Sequence, residues 1–271
     1  MGESSYLLGT HAEELERLRF QHELWRPAAQ AAWQRAGLSA GMRVLDVGAG
    51  PGFASMDLAR TVGPTGRVLG LELSEAYVAA GQAMARNAQL PWLELRRHDL
   101  LRDRWPAEGF DLAWCRWVAM FLPDLDPLLS GLEQSLRIGG QLVLHEYMHW
   151  DSFGLHPGGG AIARFGQACQ RSFREAGGDP DPNRRLPALL AARGWRIEAV
   201  QPLPVAGDSR SMAGQWLQRF VEVYGVRLQE LGLCSSGDAA EAHAEMVAAA
   251  ADPGSYWVGP TVLDVRASRA E

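Results

Sequence analysis

Residues 44–52 read VLDVGAGPG, and this stretch indicates the fold of the chain. Its apolar first half predicts a buried strand beginning at residue 43, and its small residues predict a tight turn that opens a helix. The small residues of the turn are Gly48, Ala49, Gly50 and Gly52. Because glycine has no Cβ, such a turn lets a ligand lie against the backbone. The stretch therefore predicts a ligand-binding turn at the end of a strand.

Strand and helix patterns alternate around this turn over the first 150 residues. Further strands are expected over residues 68–73, 92–97, 110–116 and 141–147. Helices should begin near Phe53, Ser74 and Pro127. The alternation predicts an α/β, Rossmann-like fold with a doubly wound parallel sheet.

The amino-terminal segment also has a helical pattern. Thr10 and Glu13 have the spacing of a capping box, so a helix should start near residue 11. Pro27 is expected to break or restart this helix, with a second helical stretch ending near Gly37.

The pattern changes beyond residue 150. Amphipathic helices are expected around residues 162–173 and 186–193, followed by a strand over 196–205 and a last strand over 258–266. Between these strands, residues from about 208 to 252 form an insertion with two helical stretches. The alanine-rich run 239–251 in this insertion is expected to be a solvent-facing cap helix.

Composition limits the partners of the chain. With 271 residues, 47% hydrophobic residues and 21% charged residues, it has the balance of a globular protein. Its net charge of -6 argues against nucleic acid as a substrate. Three well-separated cysteines favour a reducing compartment, and neither a signal peptide nor a membrane-spanning run is evident. We therefore expect a cytoplasmic protein, a monomer or homodimer, that contacts neither nucleic acid nor membrane.

The ligand of the glycine turn follows from its neighbours. A dinucleotide fingerprint would need a third glycine where Phe53 stands. The carboxylate of Asp46, at the strand end, would repel a pyrophosphate and attract a cation. These residues favour S-adenosylmethionine, which carries a sulfonium and no phosphate. Glu72 can accept from the ribose hydroxyls, and Asp99 either accepts from the adenine amino group or caps a helix.

These motifs resemble those of the class I S-adenosylmethionine-dependent methyltransferases, in particular the small-molecule group that includes the ubiquinone and menaquinone type. The resemblance covers roughly residues 40–150 and rests on VLDVGAGPG, on VLGLELS at 68–74, on RRHDLL at 96–101 and on FDLAWCRWVAMFLPD at 110–124. It implies a seven-stranded sheet with an antiparallel last strand.

The resemblance also implies further cofactor contacts. Leu73, Leu100 and Arg116 lie at positions that should contact the cofactor, although Arg116 could equally form a surface ion pair. Residues 1–38 should form a helical lid in which Tyr6 covers the methionine end, ahead of Glu14, Arg17 and Gln21. Residues 39–271 should then form the methyltransferase domain with its helical cap insertion. A packing helix is the alternative interpretation of the lid.

The end of the fifth strand supplies candidate bases. His145, Glu146 and His149 can each accept a proton, and His145 is the first candidate because the usual pKa of an imidazole suits the task. Strand alternation should put His145 and Tyr147 on one face and Glu146 on the other. The alternative is that these residues hydrogen-bond the cap or cap a helix. No metal is expected, because Asp111 begins its strand and no carboxylate pair follows.

The sequence therefore predicts transfer of a methyl group to a small, planar or hydrophobic acceptor, held by aromatic residues of the cap. Two alternatives stay open. One is an NAD(P)-dependent oxidoreductase, and the other is an S-adenosylmethionine-binding protein of this fold that transfers no methyl group.

Overall fold

The computed structural model describes residues 12–270. Its helices are α1 (Ala12–Arg35), α2 (Phe53–Val62), α3 (Glu75–Asn87), α4 (Asp126–Ser135), α5 (Gly160–Glu175), α6 (Leu186–Ala192), α7 (Met212–Glu230) and α8 (Ser236–Ala251). Its strands are β1 (Arg43–Val47), β2 (Arg67–Glu72), β3 (Leu93–Arg97), β4 (Phe110–Arg116), β5 (Leu136–His149), β6 (Gly154–His156), β7 (Trp195–Leu203), β8 (Ala206–Gly207), β9 (Tyr256–Val258) and β10 (Thr261–Arg269).

Seven strands form the main sheet in the order β3-β2-β1-β4-β5-β10-β7. The strands from β3 to β5 in this order are all parallel, whereas β10 is antiparallel to both of its neighbours. The prediction of a doubly wound, seven-stranded sheet with an antiparallel last strand is confirmed. In such a sheet the carboxyl ends of the parallel strands meet at one edge, where ligands bind.

The two faces of the sheet are covered by different helices because alternate residues of each strand point to opposite sides. Val44 packs with α1, α2 and α3 on one face, whereas Leu45 and Val47 pack with α4 and α6 on the other. All three side chains are fully buried. The burial of apolar residues on both faces explains why β1 lacks the alternating pattern of a half-exposed strand.

A third apolar cluster lies in a cap formed by α5, α7, α8 and a small sheet of β6, β9 and β8. In this cap Glu245 of α8 accepts hydrogen bonds from the backbone N–H groups of Ala161 and Ile162, at the start of α5. The structure thus adds α5 and the small sheet to the insertion expected over about 208–252. The helix over the alanine-rich run buries Ala242, Met246 and Ala249, so only its outer side faces solvent.

Two local predictions were wrong. Pro27 lies inside one continuous helix, α1. Proline removes one backbone hydrogen bond, and the burial of Trp25 and Trp33 on either side of it offsets that loss. The strand expected over 258–266 is interrupted at Pro260, which cannot donate to a strand ladder. It is therefore divided between β9 and β10, in different sheets.

Within residues 12–270, none of the helices combines the length and the apolar character that crossing a bilayer would require.

Candidate functional site

The glycine turn between β1 and α2 has a left-handed backbone at three positions. The φ angles are 66° at Gly48, 55° at Gly50 and 85° at Gly52. A Cβ on Gly48 would lie 2.2 Å from a Val118 methyl carbon, whereas a Cβ on Gly50 would meet nothing within 4 Å. Gly48 is therefore required by the protein's own packing, and the backbone at Gly50 is left accessible to a ligand.

Asp46 lies at the end of β1 under this turn and is almost fully buried. Its carboxylate accepts a hydrogen bond of 2.5 Å from the Ser55 hydroxyl of α2. Burial raises the pKa of Asp46 to about 6, while the bond from Ser55 and the charge of Arg116 act in the opposite direction. Near neutral pH the site therefore holds a buried negative charge, which favours a cationic ligand group.

Glu72 ends β2 and fixes the shape of the turn. Its carboxylate accepts from the backbone N–H of Gly50 and from that of Ser74, each at 2.8 Å. Burial raises the pKa of Glu72, and these backbone hydrogen bonds counteract part of the rise. A carboxylate has about four acceptor positions, so Glu72 keeps acceptor capacity for a ligand.

Asp99 follows β3 and caps the turn that comes after it. Its side chain accepts from the backbone N–H of Leu101 at 3.0 Å and lies 3.7 Å from the Arg102 guanidinium. No helix follows Asp99 between β3 and β4, so in the protein alone Asp99 caps a turn and not the helix of the alternative interpretation. Leu73 is exposed, and Leu100 is partly buried against the α4 side of the sheet.

Arg116 ends β4 and points to the α1 side of the sheet. Its guanidinium lies over the ring of Trp117 at 5.0 Å and over that of Trp114 at 5.7 Å, and it contacts His22. Burial lowers the pKa of Arg116 to about 10, so the side chain remains a cation at neutral pH. Arg116 therefore does not form the surface ion pair that was the alternative interpretation.

The structure thus gathers four predicted cofactor residues at one edge of the sheet. Asp99, Glu72, Asp46 and Arg116 lie at or just beyond the carboxyl ends of β3, β2, β1 and β4, which are neighbours in that order. The carboxylates of Asp46 and Glu72 and the guanidinium of Arg116 lie around the glycine turn, whose backbone is accessible at Gly50. These groups fit S-adenosylmethionine, which carries an ammonium, a carboxylate and ribose hydroxyls and has no phosphate to be repelled.

An apolar cleft lies next to this edge, between α1 and the cap. Most of its lining is aromatic, including Trp117, Tyr147, Trp150, Phe173, Trp216 and Phe220. The Trp117 ring stacks on Tyr147 at 5.6 Å and on Trp216 at 6.2 Å. Trp117 directly follows Arg116 and precedes Val118, so one loop after β4 contributes to both the glycine turn and the cleft.

Helix α1 supplies the polar side of the cleft. Arg17 forms two hydrogen bonds of 2.7 Å with the buried carboxylate of Glu14. Arg17 and Trp216 also both donate to the side-chain oxygen of Gln21 at 3.0 Å. The predicted lid residues Glu14, Arg17 and Gln21 therefore form one network at the cleft. Tyr6 lies outside the described residues.

The three candidate bases are placed apart from the lining of the cleft. His145 is fully buried, with its ring 4.7 Å from that of Trp114 and its Nε2 3.6 Å from the Asp264 carboxylate. Burial lowers the pKa of His145. On the opposite face of β5, Glu146 accepts from the backbone N–H groups of Val118 and Ala119 at 2.7 and 2.9 Å.

His149 is at the end of β5, where its Nδ1 accepts from the Arg184 guanidinium at 3.1 Å. Glu146 thus anchors the loop after β4, and His149 contacts the segment before α6. None of these contacts is with the cap. Glu146 caps the short 3-10 helix over residues 119–121, which is the helix-capping alternative, whereas His145 contacts neighbouring strands and His149 contacts Arg184.

Sequence reasoning did not single out Trp117 or Tyr147 as site residues. Trp117 has a φ of 54°, which is unusual for a residue with a side chain, and such backbone conformations are often found at functional sites. Only the position of Trp117 directly after a buried strand could have drawn attention to it. Tyr147 was recognised as lying on the same face as His145, but its exposure to the cleft depends on where α1 crosses the sheet.

Comparison with known proteins agrees with the geometry. Residues 38–165 match the family model of a methyltransferase domain. The chain is 28% identical over 129 residues to the demethylmenaquinone methyltransferase of Lactococcus lactis, a match that covers 48% of the chain and 50% of the relative. It is 31% identical over 122 residues to the nocamycin O-methyltransferase of Saccharothrix syringae, covering 45% and 44%. The matches span about half the length of these curated relatives.

Among solved structures, geranyl diphosphate C-methyltransferase from Streptomyces coelicolor has the same fold. The TM-score is 0.58 at 19% sequence identity, and the similarity covers 97% of this chain and 87% of that one. The fold therefore extends well beyond the region in which sequence identity is detected. The strand order, the glycine turn and the match of residues 38–165 to a methyltransferase domain agree, and together they support a class I S-adenosylmethionine-dependent methyltransferase.

Proposed function

We propose that this chain transfers the methyl group of S-adenosylmethionine to an apolar, planar small molecule bound in the aromatic cleft. The observation that carries the proposal is the position of that cleft beside the glycine turn, with the loop of Trp117 and Val118 between them. Aromatic walls favour flat, hydrophobic ligands. A quinone-like or natural-product acceptor fits this lining better than a nucleic acid does, and the net charge of -6 has the same implication.

Binding of the cofactor is assigned to the edge of the sheet. In the proposal the buried charge of Asp46 faces the ammonium, Glu72 accepts from the ribose and Arg116 holds the carboxylate. The cofactor supplies a methyl group already activated by its sulfonium. The chain contributes alignment and exclusion of water, and alignment alone is worth roughly 7–11 kcal/mol in well-oriented reactions.

The cleft lining also restricts the nucleophile. Among the described residues that line it, none is a histidine, aspartate or glutamate, and its polar side chains include Arg17, Gln21 and Tyr147. Burial raises the pKa of Tyr147 well above its usual value, so its hydroxyl remains protonated and can donate a hydrogen bond. The proposal therefore favours a nucleophile that has already lost its proton to water, such as the anion of an acidic hydroxyl or of an activated carbon, with S-adenosylhomocysteine as the leaving group. It assigns no proton transfer to His145, Glu146 or His149.

A turnover assay tests the proposal. The protein is incubated with S-adenosylmethionine and a panel of hydroquinones, naphthols and polyphenols, and S-adenosylhomocysteine and methylated products are measured by mass spectrometry. Phe220→Ala, which widens the cleft, should raise the KM of an accepted substrate and leave the affinity for S-adenosylhomocysteine unchanged. Val226→Ala is the matched control on α7, because Val226 is 59% exposed.

Binding of S-adenosylhomocysteine without turnover of any acceptor would contradict methyl transfer and favour a protein that only binds the cofactor. An unchanged KM in the Phe220 variant would show that the acceptor binds elsewhere.

The cellular compartment and the oligomeric state are also part of the proposal. Cys115, Cys169 and Cys234 are all free thiols, which agrees with a reducing compartment such as the cytoplasm. We expect a monomer or a homodimer, and size-exclusion chromatography with light scattering distinguishes the two.

A further inference from the structure

A chain of polar contacts links α2, α1 and the end of β4. The Nε2 atom of His22 lies 3.0 Å from the carboxylate of Asp57, and its Nδ1 atom lies 3.2 Å from the Nη2 atom of Arg116. His22 is only 2% exposed, and its ring stacks on that of Phe53 at 6.0 Å. Phe53 is the residue that replaces the third glycine of a dinucleotide fingerprint.

The chemistry of these groups fixes the tautomer of His22. A guanidinium has only donors, so the Nδ1 atom of His22 must accept from Arg116. The ring proton is then on Nε2 and is donated to Asp57. Burial lowers the pKa of His22, which agrees with a neutral ring. His22 can therefore hold Arg116 only as a neutral imidazole in this one orientation.

Asp57 is itself held in place. Its carboxylate accepts from Arg26 at 2.8 Å and from Arg60 at 2.9 Å. Burial tends to raise the pKa of Asp57, but the hydrogen bond from His22 and the charge of Arg26 lower it overall. A carboxylate with three donors has little rotational freedom, so it can fix the ring of His22.

The remaining donors of Arg116 need an acceptor. The Nη1 atom of Arg116 is buried and has no hydrogen-bond partner within residues 12–270. A buried charged donor without a partner is costly, and an anion in this position would remove the cost. The carboxylate is the anionic group of S-adenosylmethionine, and the nearby charge of Asp46 suits the ammonium beside it.

We infer that His22 and Asp57 are positioning residues that orient the Arg116 guanidinium toward the carboxylate of the cofactor's amino-acid end. The inference rests on the proposed function for the identity of the cofactor. It assigns to α1 a role in cofactor recognition that extends beyond covering the cleft, and it explains why polar groups are buried between α1 and α2.

Two nucleosides test the inference. S-adenosylhomocysteine carries the amino-acid end, whereas 5′-methylthioadenosine has the same adenosine and sulfur without it. Calorimetry should show that His22→Ala weakens S-adenosylhomocysteine about tenfold, the effect of losing one charge-assisted hydrogen bond. The affinity for 5′-methylthioadenosine should stay within about twofold and show that the fold is intact. Asp57→Asn should likewise weaken the binding of S-adenosylhomocysteine and leave the binding of 5′-methylthioadenosine unchanged.

His22→Gln provides the rescue. A glutamine amide can accept from Arg116 and donate to Asp57 at the same time, so this variant should recover most of the lost affinity. Glu23→Ala is the matched control, because Glu23 is the next residue of α1 and pairs with Arg19 on its exposed side. It should leave both affinities unchanged.

If His22→Ala weakens the binding of both nucleosides equally, the inference is overturned, since this result would show a general effect of helix packing. Unchanged affinity for S-adenosylhomocysteine would also overturn it. If both nucleosides bind as expected but no acceptor is methylated, the proposed function fails and the inference stands.

Discussion

Replacing Gly48 with alanine should destabilise the protein by about 2–5 kcal/mol. The φ angle of 66° at Gly48 lies in the left-handed region, which costs roughly 1–2 kcal/mol for a residue with a Cβ. The new Cβ would also lie 2.2 Å from a methyl carbon of Val118, and overpacking of this kind adds about 1–3 kcal/mol. Val118 cannot move freely, because its backbone N–H is bonded to the buried Glu146.

Urea unfolding followed by tryptophan fluorescence measures this loss. Gly232→Ala is the control: Gly232 has a φ of 71°, and a Cβ there would meet nothing within 4 Å, so alanine should cost only the backbone strain. Adding Val118→Ala to the Gly48 variant should restore part of the lost stability, as coupling between contacting residues requires. Equal losses for the two glycine variants, or no recovery in the double variant, would refute the packing explanation.

Two further predictions concern buried carboxyl groups. Burial raises the pKa of Glu146 to about 7 from its usual 4.5, so stability should fall by at most about 3 kcal/mol as pH rises through this interval. Glu146→Gln should flatten that slope in urea unfolding, and an unchanged slope would contradict it. Asp46 has a pKa of about 6, so affinity for S-adenosylhomocysteine should increase from pH 5 to pH 7. Asp46→Asn should remove this increase and weaken binding about tenfold at pH 8; calorimetry showing the wild-type profile would exclude a contact with the ammonium.

The main sheet could be predicted from the sequence because its central strands, such as β1 and β2, are buried on both faces and are separated by clear turn signals. The expected start of β1 and both expected bounds of β4 coincide with those observed. The small sheet of the cap could not be predicted, because strands of two or three residues are too short to show a period. β6 and β9, for example, have three residues each.

The candidate site was predictable where a residue ends a strand and less so where its surroundings come from distant elements. Alternation along β5 correctly put His145 and Tyr147 on one side, yet only Tyr147 lines the cleft. His145 lies where α1 covers the sheet, as the 2.8 Å bond from Arg35 to Asp264 shows. The path of a helix across a sheet depends on tertiary packing, and no local pattern in β5 encodes it.

The continuity of α1 through Pro27 gives this helix its importance for the site. Gln21 contacts the cap through Trp216, and the next residue, His22, contacts Arg116 at the cofactor edge. Farther along the same helix, Trp33 packs on Trp114 of the sheet at 5.3 Å. A helix broken at Pro27 would leave its first half free to move. Because α1 is continuous, the packing of Trp33 against the sheet also fixes the first half of the helix at the cleft. Under the proposed function, the alignment of acceptor and cofactor therefore depends on how α1 packs against the sheet.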